Sequence, residues 1–215
     1  MYLWPEKNVL AGQDLEAGGT WLGINEKGKF SALTNYRQGS AISPHKKTRG
    51  SLVLSALKEP DIGQTLASST HQYHGYNLVY GEMENLKCFD SINQKFHNIT
   101  EGFHSICNGA LDDIWPKMAQ GQKLLEQEIQ KYDDLSIEAL FNLMTNQTKA
   151  SDNELPDTGI DKDWEKLLSS IFNVSPDYGT RSTTILTKDN EGNIRIFDRS
   201  YQESGEPTPI SEFSI

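Results

Sequence analysis

Four short stretches of this chain hold residue types that could do chemistry. The first is Gly18-Gly19-Thr20-Trp21-Leu22-Gly23-Ile24, with Asn35 closing the extended run that follows. Its glycines could admit a ligand close to the backbone, or simply serve tight turns around Trp21 as a core residue. Asn35 at a strand end could donate its side-chain amide to a developing oxyanion, or act as a turn-former. The second is Gly102-Phe103-His104-Ser105-Ile106-Cys107-Asn108-Gly109-Ala110, with an imidazole, a thiol and an amide within five residues. Cys107 would be a nucleophile if His104 were its base. On a regular strand, however, positions 104 and 107 face opposite sides, which favours a buried, inert thiol. The third is Tyr178-Gly179-Thr180-Arg181-Ser182-Thr183-Thr184, where Arg181 could hold a carboxylate or phosphate bidentately or be one exposed charge on an ordinary strand. The fourth, His71-x-x-His74, has a spacing that metal ligands use on helices, but no third ligand is evident and Gly75 ends the helix, so no metal site is expected.

The elements that must position these residues follow from periodicity and turn chemistry. Gly18–Ile24 and Lys29–Asn35 flank the polar turn Asn25-Glu26-Lys27-Gly28 and read as a β-hairpin. Helices are expected over Gly50–Lys58 and Asp61–Gln72. Extended segments return at Gly75–Gly81, Leu86–Asp90, Lys95–Ile99 and Gly102–Cys107. Helical patterns cover Trp115–Tyr132, with Pro116 in its first turn, and Ser136–Met144, with Ser136 as N-cap. Lys149–Asp161 reads as a loop or lid and Trp164–Phe172 as a short helix. The tail is β again over Gly179–Thr187, Asn193–Tyr201 and Pro209–Phe213. Hairpin strands with helices grouped between them argue for an α+β fold of helices layered on antiparallel sheets, in one domain over 1–215.

Composition narrows the function. Twenty Lys and Arg against 30 Asp and Glu give a net charge of −10, which argues against nucleic acid as a partner. Two cysteines, Cys88 and Cys107, cannot make a disulfide framework. Apolar runs such as Ser51–Leu57 are too short to span a bilayer, and no signal or transit peptide is evident, so the expected location is cytoplasmic.

The motifs Gly12-x-Asp14, Gly18–Ile24, Ala32-Leu33-Thr34-Asn35-Tyr36, Gly75-Tyr76-Asn77-Leu78, Asn108-Gly109-x-Leu111-Asp112-x-x-Trp115-Pro116-Lys117 and Tyr178–Thr184 stand in one order. That set resembles the transport and Golgi organisation protein 2 family, also called the NRDE family, from about Trp4 to the C-terminus. The resemblance implies a four-layer αββα sandwich of the N-terminal-nucleophile hydrolase-like kind. In that superfamily a residue at the mature N-terminus attacks and its own α-amine is the base, a group that titrates near pKa 8. A more distant likeness to choloylglycine hydrolases and penicillin V acylases makes Asn35 the oxyanion candidate, with Asn108 and Arg181 at the pocket. On the same likeness the ligand-binding set is Thr20, Trp21, Asn35, Tyr36, Asn108 and Arg181.

Family members begin with a strand bearing Cys and carry Asn-Arg-Asp-Glu about twenty residues on; this sequence has neither motif. Neither Met1 nor Tyr2 can be an acyl-transfer nucleophile. The expectation is a 5′-truncated gene model that lacks the first strand and is catalytically inactive as given. The function the resemblance implies is ligand handling in haem trafficking, lipid or acyl-CoA homeostasis, or secretory-pathway organisation. The partner would be a small-molecule or lipid-like ligand, with haem a candidate. Two rivals stand beside it: an amide C–N hydrolase whose cysteine lies on a missing N-terminus, and a purely structural or interaction protein.

Overall fold

The computed structural model describes residues 1–39, 45–131 and 136–215. They form two compact units, Met1–Asp112 and Asp113–Ile215.

The first unit is built on a seven-stranded antiparallel sheet whose spatial order equals its chain order. Its strands are β1 (Tyr2–Trp4), β2 (Val9–Ala11), β3 (Leu22–Asn25), β4 (Lys29–Asn35), β5 (Tyr76–Glu82), β6 (Asn85–Asp90) and β7 (Lys95–Asn98). The expected hairpin is β3–β4. Asn25 Oδ1 accepts from the backbone N–H groups of Lys27 and Lys29, and Gly28 takes the positive φ of 76° that closes the turn. The sequence reading missed β1 and β2. Each has three residues, too few to show an alternation, and Asn8 takes a left-handed φ of 50° in the turn between them.

Helices α1 (Gly50–Lys58) and α2 (Gly63–Ser69) lie against one sheet face, after which Thr70–Gln72 make a 3₁₀ turn. Leu52, Val53, Ala56 and Leu57 of α1 pack with Leu33, Tyr76, Leu78, Tyr80 and Phe89 of the sheet. Each large aliphatic side chain buried there contributes about 1.5–3 kcal/mol. Because strand residues alternate and Ser31, Leu33 and Asn35 pair with Tyr80, Leu78 and Tyr76, all six belong to this helix-covered face. Thr34, Asn77 and Cys88 belong to the other face.

Gly19 is a packing residue, while Gly18 takes the positive φ of 74° of the turn before it. A Cβ on Gly19 would stand 2.7 Å from the carbonyl carbon of Gly50, and Thr20 N donates to Gly50 O at 3.3 Å. The start of α1 therefore occupies the space that a ligand approaching this glycine would need. Trp21, weighed as a core residue, is instead 41% exposed, and it is its carbonyl that works, accepting from Leu33 N at 2.8 Å. The extended run expected over Gly102–Cys107 forms no strand. That segment is a loop held by the Asp112 carboxylate, which accepts from Ser105 N at 2.8 Å, while Asp112 N donates back to Ser105 O.

The second unit carries α3 (Pro116–Lys131), α4 (Ile137–Met144), α5 (Lys162–Leu167) and a three-stranded antiparallel sheet in the order β10-β9-β8. These strands are β8 (Ser182–Lys188), β9 (Ile194–Ser200) and β10 (Ser211–Ser214). Ser136 caps α4 as expected, its hydroxyl accepting from Ala139 N at 3.2 Å. Tyr132, the expected end of α3, lies outside the described residues. Phe141 of α4 packs on Ile185 and Phe197 of the sheet. The segment 149–161 is a loop, pinned where Lys166 Nζ donates to Ala150 O and Asp152 Oδ1, both at 2.7 Å. The molecule is thus α+β, with a large antiparallel sheet and helices.

Candidate functional site

The exit of β4 is where the sequence-predicted residues meet. Asn108, 73 positions downstream of Asn35, donates through Nδ2 to the Asn35 carbonyl at 2.9 Å. Its Oδ1 accepts from Arg37 Nη2 at 3.2 Å, and its own carbonyl accepts from Arg37 N at 2.7 Å. One asparagine therefore satisfies three groups on the segment leaving β4 and locks the 99–112 loop against it. Tyr36 is held in the same segment, its N–H donating to Gly75 O at 2.9 Å. Arg49, just before α1, donates to the same carbonyl through Nη1 at 3.1 Å. Thr20 and Trp21 lie beside the last residues of β4, as the bond from Leu33 N to Trp21 O requires. The Thr20 hydroxyl is turned to the chain itself, donating to Leu22 O at 2.9 Å.

The Asn35 side chain has no hydrogen-bond partner among the described residues: Oδ1 is buried and unpaired, and no acceptor meets Nδ2. An amide held this way keeps donor capacity for a carbonyl, carboxylate or phosphate oxygen. On the opposite face, Asn77 is fully buried. Its Nδ2 donates to Gly109 O at 2.7 Å and to Thr34 Oγ1 at 3.2 Å, while its Oδ1 has no partner among the described residues. Sequence reasoning passed over Asn77. The available signal was an amide set between Tyr76 and Leu78 in an otherwise apolar strand, because such an amide must find partners inside the protein.

His104 and Cys107 do not form the nucleophile–base pair weighed from sequence. The strand-parity argument lapses because the segment is a loop, and His104 is engaged elsewhere. Its Nδ1 lies 2.7 Å from Asp112 Oδ2 and its Nε2 lies 3.1 Å from Thr100 O. Both partners are acceptors, an arrangement that favours the protonated ring donating through both nitrogens. The bond to Asp112 is the main cause that raises its pKa above the ordinary histidine value. Cys88, on the same face as Asn77, is fully buried, and desolvation, with the charges of Asp90 and Asp112, pushes its thiol up to about 12. Cys107 is half-buried and in no disulfide.

Arg181 belongs to the second unit. Its guanidinium is largely exposed and 4.0 Å from Glu203, a separation worth little in water. Its neighbours do structural work: Thr180 N donates to Asn173 O at 2.8 Å and Thr180 Oγ1 accepts from Asn173 N at 3.0 Å. His71 sits in the 3₁₀ turn, and among the described residues no group of three or more His, Cys, Asp or Glu side chains could hold a metal.

A family model described as Transport and Golgi organisation 2 matches residues 1–203. The chain belongs to this family. Among its relatives, a mouse Transport and Golgi organization 2 homolog (Mus musculus) is 28% identical over 212 residues, covering 89% of this chain and 76% of the relative. A bovine homolog (Bos taurus) is 28% identical over 218 residues, covering 92% and 79%. A human homolog (Homo sapiens) is 29% identical over 227 residues, covering 93% and 80%. The family match takes in both halves of the β4 clasp, Asn35 and Asn108, and runs on through Arg181. Among the described residues, no helix is long and apolar enough to cross a membrane.

Proposed function

We propose that this family member handles a small-molecule or lipid-like ligand at the Asn35–Asn108 clasp, without turning it over. The observation that carries the reading is the division of labour between the two asparagines. Asn108 spends its side chain and carbonyl on holding the β4 exit, and Asn35 retains an uncommitted amide donor beside it. A fixed donor next to a locked loop binds an oxygen of the ligand without a large ordering cost. Two groups that could have supplied acid–base or nucleophilic chemistry are withdrawn, His104 through both ring nitrogens and Cys88 by burial. That favours handling over turnover.

The family resemblance makes haem and acyl-CoA the ligands to test first. Haem iron takes His, Cys, Met or Tyr as axial ligand. Beside the clasp that chemistry is carried by Tyr36, next to Asn35, and Cys107, next to Asn108, and these are the residues that would hold the iron. The relatives' name connects them with transport and Golgi organisation, and we extend a role in secretory-pathway organisation to this chain, acting from the cytoplasm. The fold we propose is the αββα sandwich of N-terminal-nucleophile hydrolases, formed by the whole chain as one family domain. Its support is that each unit has an antiparallel sheet with helix packed on it, and that the family match spans both.

The test is a titration of the whole protein with haem, read by its absorption band, and with palmitoyl-CoA, read by tryptophan fluorescence. Saturable binding of one of them is expected. Linear, unsaturable responses to both would remove this function.

A further inference from the structure

Between Glu26 and Glu59 the chain carries seven Lys and Arg and not one Asp or Glu, although its net charge is −10. Four of those cations, Arg37, Lys46, Lys47 and Arg49, belong to the stretch that leaves β4 and leads into α1. Residues 46–49 of that stretch run beside residues 71–75. Lys46 Nζ donates to His71 O, Lys47 N to Gln72 O at 2.9 Å, and Arg49 Nη1 to Gly75 O at 3.1 Å. Three chain steps separate Lys46 from Arg49, at most about 11 Å between their Cα atoms. The Gly75 carbonyl that Arg49 holds also accepts from Tyr36 N, so this cationic strip begins beside Asn35 and the clasp.

Arg49 is the centre of the strip. It is half-buried, and among the described residues its guanidinium bonds to Gly75 O alone. Burial holds that guanidinium below the ordinary arginine value, and no carboxylate pulls it back. One of its five N–H groups is engaged, which leaves donors for a pair of anionic oxygens. Lys46 gives one bond to a neutral carbonyl, and the Lys47 ammonium has no ion-pair partner among the described residues. Arg37 is already engaged with Asn108. The nearby carboxylates are committed elsewhere. Asp90 stands two residues before Ile92, the side chain that closes on Gly75. It is 2% exposed and accepts from Ile92 N, Asn93 N and Asn93 Nδ2. Asp112 is held by His104 and Ser105 N, and the first turn of α1 has no acidic residue. Arg49, Lys46 and Lys47 therefore present three positive charges without a balancing one. A lone carboxylate would answer one of them, whereas a phosphate monoester, at about −1.5 to −2, or a diphosphate answers most of the three.

We propose that Arg49, Lys46 and Lys47 anchor a phosphate group, the guanidinium taking two of its oxygens and the two ammonium groups neutralising the rest of its charge. This gives the clasp's ligand a phosphorylated head. The link to that ligand rests on the function proposed above, while the phosphate site itself does not.

The experiment is an amide NMR titration of the full chain with sodium pyrophosphate, with sodium acetate as a separate arm. Pyrophosphate has no apolar body and so reports on the anchor without the clasp. It is expected to give saturable shifts confined to the residues around Lys46–Gly50 and His71–Gly75, and acetate to bind far more weakly. Co-sedimentation with vesicles of equimolar phosphatidylcholine and phosphatidic acid, against phosphatidylcholine alone, separates the sources of the phosphate. Binding to the acidic vesicles alone assigns it to a lipid headgroup, and binding of pyrophosphate alone to a soluble ester. Arg49→Met should weaken binding by about tenfold or more, the loss of a two-oxygen charged contact. Arg49→Lys should recover only part, because it restores the charge without the fork. Since Arg49 also ties the start of α1 to Gly75, Lys47→Glu on the exposed segment is the second variant, with weakening of severalfold expected. The proposal is overturned if neither pyrophosphate nor the acidic vesicles bind, if acetate matches pyrophosphate, or if Lys47→Glu leaves the affinity unchanged. A protein that binds haem saturably but neither phosphate probe loses this anchor and keeps the function proposed above.

Discussion

Replacing Asn108 with alanine removes the clasp while leaving the backbone bond from Arg37 N to Asn108 O formally available. Two side-chain hydrogen bonds are lost, Nδ2 to Asn35 O at 2.9 Å and Oδ1 from Arg37 Nη2 at 3.2 Å. Both are partly buried. Each is worth about 1 kcal/mol net, and the stranded Asn35 carbonyl adds to the cost if water does not reach it. The expected loss is therefore about 2 kcal/mol, or a Tm lower by roughly 4–8 °C for a chain of this size. Urea unfolding followed by circular dichroism measures it, with an unchanged m-value showing that stability alone has moved. Asn108→Asp is the informative companion. It keeps an acceptor for Arg37 but no donor for Asn35, so it should recover part of the loss and no ligand affinity. If Asn108→Ala costs less than about 0.5 kcal/mol, the clasp does not hold the loop and the argument for a locked site fails.

The other perturbations are more local. Gly19→Ala forces a methyl to within 2.7 Å of the Gly50 carbonyl carbon and should cost roughly 1–3 kcal/mol by overpacking; a neutral result in thermal unfolding would show that α1 does not approach this closely. His104 has a raised pKa in the folded state, so its contribution is fully present below the unfolded value and is lost as pH rises through the folded one. The stability gap between the parent and His104→Gln, roughly 0.5–1 kcal/mol for so exposed a pair, should be largest in acid below about pH 6.5 and close in alkali. A gap that widens with rising pH would show that the ring is not an imidazolium. Cys88 should resist iodoacetamide in the native protein at pH 8, because burial keeps it a thiol, while Cys107 is alkylated first; peptide mapping that finds Cys88 modified first would contradict the buried assignment.

The sequence made the local part of this structure readable. Strand β4 and helix α1 fall on their expected residues because their patterns run for seven and nine residues between Asn, Gly and Lys boundaries. The β3–β4 turn is a property of Asn25 and Gly28 themselves. Strands β1 and β2 escaped because three residues show no period. Gly102–Cys107 misled for a different reason: its apolar and aromatic residues suit a strand, yet the backbone is captured by the carboxylate of Asp112, seven positions on from Ser105. At the site, Asn35 and Asn108 were both picked out, but their bond spans 73 residues and no local pattern encodes it. Asn77 was hidden likewise, its partner Gly109 lying 32 positions away. Gly19 looked like part of a ligand cradle because the sequence shows a missing side chain and not what fills the space, which here is Gly50.

The most direct test follows the Asn35 side-chain amide itself. In a ¹⁵N-labelled protein, the account predicts that haem or palmitoyl-CoA shifts the Asn35 Nδ2 resonance in step with occupancy, while the Asn108 Nδ2 resonance, tied to the Asn35 carbonyl, moves little. A ligand that reaches saturation and leaves the Asn35 amide where it was would contradict the account.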